Sequence, residues 1–126
     1  MKKILIVEDD REMLETLSLA LRSRGHSVVT AGDGGEGVER FSVSHFDLVV
    51  TDILMPDLDG LGMIEEMKRM APSIKIVAMS GGGTAAEFDF LDAAKKRGVI
   101  ATLTKPFQIA VLNELVDRCL GCSPSA

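Results

Sequence analysis

Carboxylate side chains follow two apolar segments of the sequence at the point where each segment ends. In "ILIVEDD", residues 4–7 lead directly into Glu8, Asp9 and Asp10, and in "DLVVTDILMPDLDG" a second apolar run ends at Asp52. Carboxylates in proteins act as nucleophiles, as acids and bases, and as ligands of hard cations. The two segments therefore predict a shared acidic site, provided that the fold brings their ends together.

The alternation of apolar and amphipathic segments predicts such a fold. Candidate strands cover 3–7, 27–31, 47–51, 74–79 and 99–103, and each is followed by a segment with the apolar spacing of a helix. Strands that are apolar throughout, such as "DLVV" and "IKIVAM", are typical of a parallel sheet covered by helices on both faces. The prediction is an α/β, flavodoxin-like (βα)5 fold, with a doubly wound five-stranded parallel sheet in the order 2-1-3-4-5.

In a sheet of this order, ligands bind at the carboxyl ends of the strands, in the crevice between strands 1 and 3. Glu8, Asp9 and Asp52 would meet in that crevice. Three neighbouring carboxylates repel one another, so unless one is protonated they need a cation among them. With oxygen ligands and no histidine or cysteine nearby, Mg2+ is the cation that suits the site best.

Helix capping is the structural alternative for these acids. An acid at the end of strand 1 could cap the first helix, and Asp57 or Asp59 could cap the third. We accept this role for Asp10, Asp57 and Asp59. Capping explains Asp52 poorly, because several residues, including Pro56, separate it from the next helix.

A hydroxyl and an ammonium group follow the two remaining strands at this edge of the sheet. Strand 4 ends at Ser80, and strand 5 leads into "TKPF", which contains Lys105. A carboxylate nucleophile, a Mg2+ site, a hydroxyl donor and a fixed cation are the groups needed to receive a phosphoryl group, because cations stabilise the charge on its oxygens. The combination predicts phosphoryl transfer onto a carboxylate.

The motifs "ILIVEDD", "DLVVTDILMPDLDG", "VAMSG" and "LTKPF" resemble those of response-regulator receiver domains of two-component signalling, the CheY-like family. The match covers nearly the whole chain. The resemblance implies that Asp52 is the phosphoacceptor and that Glu8 and Asp9 form the acidic pair of the family. It also implies that Mg2+ is held by Asp9, Asp52 and the backbone carbonyl of Leu54, with Glu8 acting through water.

The same resemblance assigns roles to the residues at the ends of strands 4 and 5. Ser80 would fill the Ser/Thr switch position of the family, and Lys105 would be its phosphate-binding lysine. A cis peptide bond is expected before Pro106. The sequence departs from the family at Thr102, because receiver domains usually carry Tyr or Phe three residues before the lysine.

The length of 126 residues predicts one domain with a single core. We expect a receiver domain over residues 1–121 and a short tail over residues 122–126. If the chain is complete, it carries no output domain, and the signal would leave by docking onto another protein. A piece of a longer protein would look the same.

Charge and hydropathy disfavour several classes of partner. The chain has 19 acids, 14 bases and a formal charge of -5, and its only basic run, Lys95-Lys96-Arg97, is short and lacks interleaved aromatics. We therefore expect no direct binding of nucleic acid. No apolar run is long enough for a signal peptide or a membrane span, so we expect a cytoplasmic protein without membrane insertion.

Three other motifs receive structural interpretations. "GDGGEG", Gly32 to Gly37, matches a dinucleotide-binding turn, but it follows strand 2, away from the crevice, so we interpret it as a turn with Asp33 capping helix 2. The pair of cysteines in "CLGC" lies at a helix end, where the dipole does not favour a thiolate, and is expected to be inert. His26 and His45 stand alone near strand starts, which disfavours a histidine phosphodonor within this chain.

Three functions remain open from the sequence. The first is a phosphorylation-controlled switch, not a turnover enzyme, which accepts a phosphoryl group from a histidine kinase or phosphotransfer protein and then alters its binding to a downstream protein. The second is a phosphatase of the haloacid dehalogenase type, but such enzymes place an acid two residues after the nucleophile, where this chain has Leu54. The third is a phosphorylation-independent binding module, which the complete set of site residues disfavours.

Overall fold

The structure is a computed structural model, and it describes residues 2–55, 58–81 and 85–121. Five parallel strands form the sheet; they are β1 (Lys3–Val7), β2 (Ser27–Ala31), β3 (Leu48–Asp52), β4 (Lys75–Ser80) and β5 (Ala101–Thr104). The helices that connect and follow them are α1 (Arg11–Arg22), α2 (Gly34–Ser42), α3 (Gly60–Met70), α4 (Ala85–Lys96) and α5 (Ile109–Cys119). Two further strands of two residues each, Leu54–Met55 and Leu58–Asp59, pair antiparallel between β3 and α3.

The sheet has the order β2-β1-β3-β4-β5, and every neighbouring pair in it is parallel. This confirms the predicted flavodoxin-like (βα)5 fold. Alternate residues of each strand point to opposite faces. Ile4 and Ile6 of β1 belong to a core with residues of α1 and α5, while Leu5 and Val7 belong to a second core with residues of α2, α3 and α4.

Helices α1 and α2 begin where the sequence predicts them. Asp10 caps α1 and accepts hydrogen bonds from the amides of Glu12 and Met13, and Asp33 caps α2. Gly98, with φ +95, ends the turn after α4, in the left-handed region that glycine adopts without cost. The predicted cap at Asp57 lies outside the described residues, and a cap at Asp59 stays a prediction.

Strand boundaries differ from the prediction by one or two residues. β3 and β4 each begin and end one residue later than the predicted ranges, so Asp52 and Ser80 are themselves strand residues. β5 begins at Ala101 and not at residue 99, because the amide of Val99 donates to the carbonyl of Ala94 and completes the end of α4. The apolar run thus begins in the turn before the strand.

Across the part of the chain that the structure describes, no helix combines the length and the apolar character needed to cross a membrane. The predicted tail, residues 122–126, lies outside the described residues.

Candidate functional site

Four neighbouring strands deliver the predicted site residues to one edge of the sheet. Glu8 directly follows β1, Asp52 ends β3, Ser80 ends β4 and Lys105 directly follows β5. These are carboxyl ends of parallel strands, which is where ligands bind in this class of fold. The sheet order therefore places the four residues along the predicted crevice.

The three predicted acids are clustered. One ligand oxygen from each of Glu8, Asp9 and Asp52 lies within 4.8 Å of the other two. Glu8 and Asp52 are buried, whereas Asp9 is exposed. The cluster has one open side, at Asp9, through which a cation could reach buried carboxylates.

Lys105 supplies the positive charge that these acids need. Its Nζ atom lies 2.9 Å from Oδ2 of Asp52 and is also in contact with Oε1 of Glu8. The side chain of Lys105 is 19% exposed, that of Asp52 is 9% exposed and that of Glu8 is fully buried. Such ion pairs are weakly screened by solvent, so the lysine is held firmly between the two acids.

Burial dominates the protonation of Glu8. Loss of solvent raises the pKa of Glu8 to about 7, the hydrogen bond from Lys105 opposes this rise, and the negative charge of Asp52 adds to it. Burial lowers the pKa of Lys105, but its hydrogen bonds to Glu8 and Asp52 outweigh that effect and raise the pKa above its usual value. Lys105 therefore stays charged at neutral pH, and Glu8 is near its titration midpoint.

The backbone around Asp52 is held by contacts that the sequence did not reveal. The hydroxyl of Thr51, which is fully buried, donates to the carbonyl of Asp52 at 2.9 Å. The amide of Ile53 donates to the carbonyl of Met79 at 3.1 Å. The sequence does not indicate which carbonyl accepts the hydrogen bond of a threonine hydroxyl in an apolar strand. Apart from its position beside Asp52, Thr51 therefore could not be identified as a site residue from the sequence.

Ser80 brings a buried hydroxyl to the same edge. Its side chain has no exposed surface, and within the described residues its Oγ atom has no hydrogen-bond partner. Its carbonyl accepts a hydrogen bond of 2.7 Å from the amide of Lys105, which ties the ends of β4 and β5 together. A buried hydroxyl without a partner is costly, so the site holds a donor that a phosphoryl oxygen would satisfy.

The structure also bears out the expected cis bond between Lys105 and Pro106. Leu54, whose carbonyl is a predicted metal ligand, lies in the short strand that begins two residues after Asp52. The role of that carbonyl stays a prediction.

Residues that the sequence set aside do not join the site. His26 and His45 precede β2 and β3 and so lie at the opposite edge of the sheet, where the side chain of His45 is 91% exposed. Cys119 ends α5, and burial raises the pKa of its thiol, which disfavours the reactive thiolate. The other cysteine of the pair, Cys122, lies outside the described residues.

The acid cluster fits a hard divalent cation. Its donors are carboxylate oxygens from three residues, one of them exposed, and the combined charge of Glu8, Asp9 and Asp52 exceeds what the single ammonium of Lys105 can balance. Mg2+ prefers such oxygen ligands and commonly keeps several waters, which the open side at Asp9 would admit.

Comparison with known proteins agrees with the family resemblance found in the sequence. Residues 4–117 match a family model described as the response regulator receiver domain. The chain is 32% identical to the response regulator receiver protein CpdR of Brucella abortus over 120 residues, which cover 95% of this chain and 98% of that protein. It is 33% identical to the transcriptional regulatory protein GlrR of Escherichia coli, but it spans only 27% of the length of that protein. It spans 37% of the transcriptional activator PfeR of Pseudomonas aeruginosa.

Solved structures agree with the sequence relatives. A CheY-like receiver domain protein from Methanospirillum hungatei superposes with a TM-score of 0.87 at 28% identity, covering 96% of this chain and 94% of the other. The response regulator TrrA of Thermotoga maritima, solved in complex with Mg2+ and BeF, superposes with a TM-score of 0.84 at 28% identity, covering 95% of this chain and all of the other.

Proposed function

The chain belongs to the response regulator receiver domain family, and on that premise we propose that it is a signalling switch controlled by phosphorylation of Asp52 with the help of Mg2+. Receiver domains in general are signalling switches and not turnover enzymes, and they interact with histidine kinases and downstream effectors. For this chain we propose a sensor histidine kinase or a histidine phosphotransfer protein as the phosphoryl donor. A downstream protein would receive the signal. A cytoplasmic location is part of the proposal.

The contact of Lys105 with Asp52 and Glu8 is the observation that carries the proposal. It holds a cation 2.9 Å from the carboxylate that would be phosphorylated. In the proposed step an Oδ atom of Asp52 attacks the phosphorus of a phosphohistidine. An O–P bond forms as the P–N bond breaks, and the imidazole, protonated on its other ring nitrogen, takes the electron pair of that bond and leaves as a neutral ring. Lys105 would then bind a phosphoryl oxygen and balance the charge that arrives with it.

The metal would be held by Asp9, Asp52 and the carbonyl of Leu54, with Glu8 acting through water. When bound, Mg2+ would supply positive charge that neutralises the phosphoryl oxygens. The clustered acids of this chain support this assignment, as does the complex of the relative TrrA with Mg2+ and BeF.

Ser80 would connect the chemistry to a change of shape. Its buried hydroxyl, which lacks a partner within the described residues, would donate to a phosphoryl oxygen on Asp52. That new hydrogen bond would favour a different position of the end of β4, and partner proteins would bind the two positions with different affinity. The phosphatase alternative finds no support, because the residue two positions after Asp52 is Leu54 and not an acid.

The test is phosphorylation with acetyl phosphate and Mg2+, followed by intact mass spectrometry. We expect one added phosphoryl group on the unmodified protein, none on Asp52→Ala, and suppression by EDTA. Asp33→Asn serves as the control, because it removes a carboxylate that caps α2 and should leave labelling unchanged. Labelling that persists in Asp52→Ala would overturn the proposal.

A further inference from the structure

Gly60, the first residue of α3, lies against the backbone that follows the candidate phosphoacceptor. A Cβ atom at Gly60 would lie 2.6 Å from the carbonyl oxygen of Ile53, 2.8 Å from its Cα and 3.0 Å from its carbonyl carbon. A Cβ atom in a folded protein does not approach other heavy atoms so closely, and a backbone cannot rotate aside as a flexible side chain can. Any side chain at Gly60 would therefore force α3 and the backbone of Ile53 apart.

The backbone of Asp52 and Ile53 is held in place by other contacts. The hydroxyl of Thr51 holds the carbonyl of Asp52, the amide of Ile53 is bonded to Met79, and the Ile53 side chain is 1% exposed in the core beneath α3. A displacement at Gly60 must consequently move the segment that continues from Ile53, or break these bonds.

The segment that continues from Ile53 is paired with the segment that leads into α3. Leu54 lies opposite Asp59 in the short antiparallel pair, and Asp59 directly precedes Gly60. The position of α3 and the position of the Leu54 backbone are thus linked twice, by the chain at Asp59 and by the close contact of Gly60 with Ile53.

We propose that Gly60 is a positioning residue for the metal site: the absence of a side chain lets α3 close on Ile53 and so fixes the Leu54 carbonyl relative to Asp52. This inference rests on the proposed function, which requires that carbonyl as a Mg2+ ligand. Gly60 touches neither the metal nor the phosphoryl group. It acts through the backbone of Ile53 and Leu54.

In the sequence, Gly60 follows Asp59 at the start of α3. The sequence alone admits a simpler interpretation, in which Gly60 only permits a turn before the helix. The two roles differ in what a methyl group at Gly60 would change: a turn role affects stability alone, whereas a positioning role affects metal affinity in a protein that remains folded.

The experiment compares Gly60→Ala with Gly32→Ala. Gly32 follows β2 at the same edge of the sheet, and a Cβ there would meet nothing within 4 Å. Mg2+ affinity is measured by calorimetry, and metal-free amide NMR spectra are recorded in EDTA. We expect Gly60→Ala to weaken Mg2+ binding about tenfold or more, as loss of support around metal ligands does. We expect Gly32→Ala to change it by less than about twofold.

The metal-free NMR spectra test the backbone position without bound Mg2+. In Gly60→Ala the amide signals of Ile53 and Leu54 should shift, and in Gly32→Ala they should not. At saturating Mg2+, phosphorylation of Gly60→Ala by acetyl phosphate should approach that of the unmodified protein, because the acceptor itself is unchanged.

A second variant covers the case in which Gly60→Ala fails to fold. Thr51→Val keeps the shape of the side chain but removes the hydroxyl that holds the Asp52 carbonyl. It loosens the same backbone without a clash, so it should also weaken Mg2+ binding and shift the Ile53 amide. Unchanged Mg2+ affinity in folded Gly60→Ala, or in Thr51→Val if the alanine variant does not fold, overturns the inference. Failure of the unmodified protein to bind Mg2+ or to be phosphorylated would instead overturn the proposed function.

Discussion

The ammonium group of Lys105 is in direct contact with the carboxylate of Glu8, whose side chain has no exposed surface. The same nitrogen reaches Asp52, so one cation serves two acids. Taking a carboxylate out of water is costly unless a partner compensates it, and at Glu8 that partner is a lysine whose own charge is stabilised in return. Loss of this contact would therefore change the protonation of Glu8.

Removal of Lys105 should raise the pKa of Glu8 above its value of about 7. The reason is that the hydrogen bond from Lys105 lowers that pKa, while burial and the charge of Asp52 both raise it. Lys105→Met is the appropriate change, because methionine keeps a long apolar side chain without the charge. Carboxyl carbon NMR of the metal-free protein as a function of pH gives the midpoint. Lys95→Met, on the exposed end of α4, is the control, and an unchanged or lower midpoint in Lys105→Met contradicts the prediction.

Stability should depend on pH through Glu8. Its pKa is about 7 in the folded protein against an ordinary value of 4.5, so the folded state binds this proton more tightly than the unfolded state does. The contribution of Glu8 to the free energy of unfolding is therefore largest below pH 4.5, falls as the pH rises to about 7, and is constant above that.

Glu8→Gln isolates this effect because glutamine does not titrate. We expect the free energy of unfolding of the unmodified protein to fall relative to that of Glu8→Gln by at most about 3 kcal/mol across this pH window. Urea unfolding in EDTA at several pH values measures the difference. A difference that is flat, or that moves in the other direction, would show that Glu8 is not a buried acid of raised pKa.

The sequence was sufficient to predict the fold class, the strands to within two residues and the edge at which the acids meet. These features follow from the apolar runs and from the acids placed directly after them, which are local signals. The contact of Lys105 with Glu8 was not predictable in the same way, because it depends on how far each side chain reaches across neighbouring strands. The close contact of Gly60 with Ile53 also depends on tertiary packing. The sequence shows only that a glycine is present at position 60.

The phosphorylated state should be long-lived, and a change at Leu54 should shorten it. In the family, the residues two positions after the acceptor and two after the switch hydroxyl influence the attacking water, and here they are Leu54 and Gly82. Neither has a side chain that can hydrogen-bond water, and Gly82 lies outside the described residues. Leu54→Asn should accelerate loss of the phosphoryl group, because an amide can orient water as glutamine does in some GTPases. Decay of the phosphorylated protein after removal of acetyl phosphate gives the rate, with Leu54→Met as a control that adds no hydrogen-bonding group.

The signal should leave the site through the segment after Ser80 and not through Thr102. Threonine has no ring to bury, and Thr102 is a half-buried residue of the edge strand β5 that pairs with Ala78, whereas Ser80 is followed by three consecutive glycines. Residues 82–84 of that segment lie outside the described residues. We expect phosphorylation to shift amide signals and slow hydrogen exchange mainly across residues 80–90, since ordering of a loop is a common form of switching.

Two variants separate these routes. Thr102→Ala should leave phosphorylation-dependent partner binding nearly intact, and Ser80→Ala should weaken it. If Thr102→Ala abolishes the dependence while Asp52 is still phosphorylated normally, the threonine is the switch and the loop route is wrong.

The contact between Glu8 and Lys105 joins residues that are 97 positions apart in the chain. During synthesis, the first strand and its acid leave the ribosome before the lysine does, so a chain that lacks β5 and the residues after it also lacks the cation that contacts Glu8. The site is therefore complete only when the first and the last strand of the sheet, in chain order, are both in place. Competence to accept a phosphoryl group would then depend on a fold that includes both β1 and β5, and a chain that stops before β5 is expected to lack it.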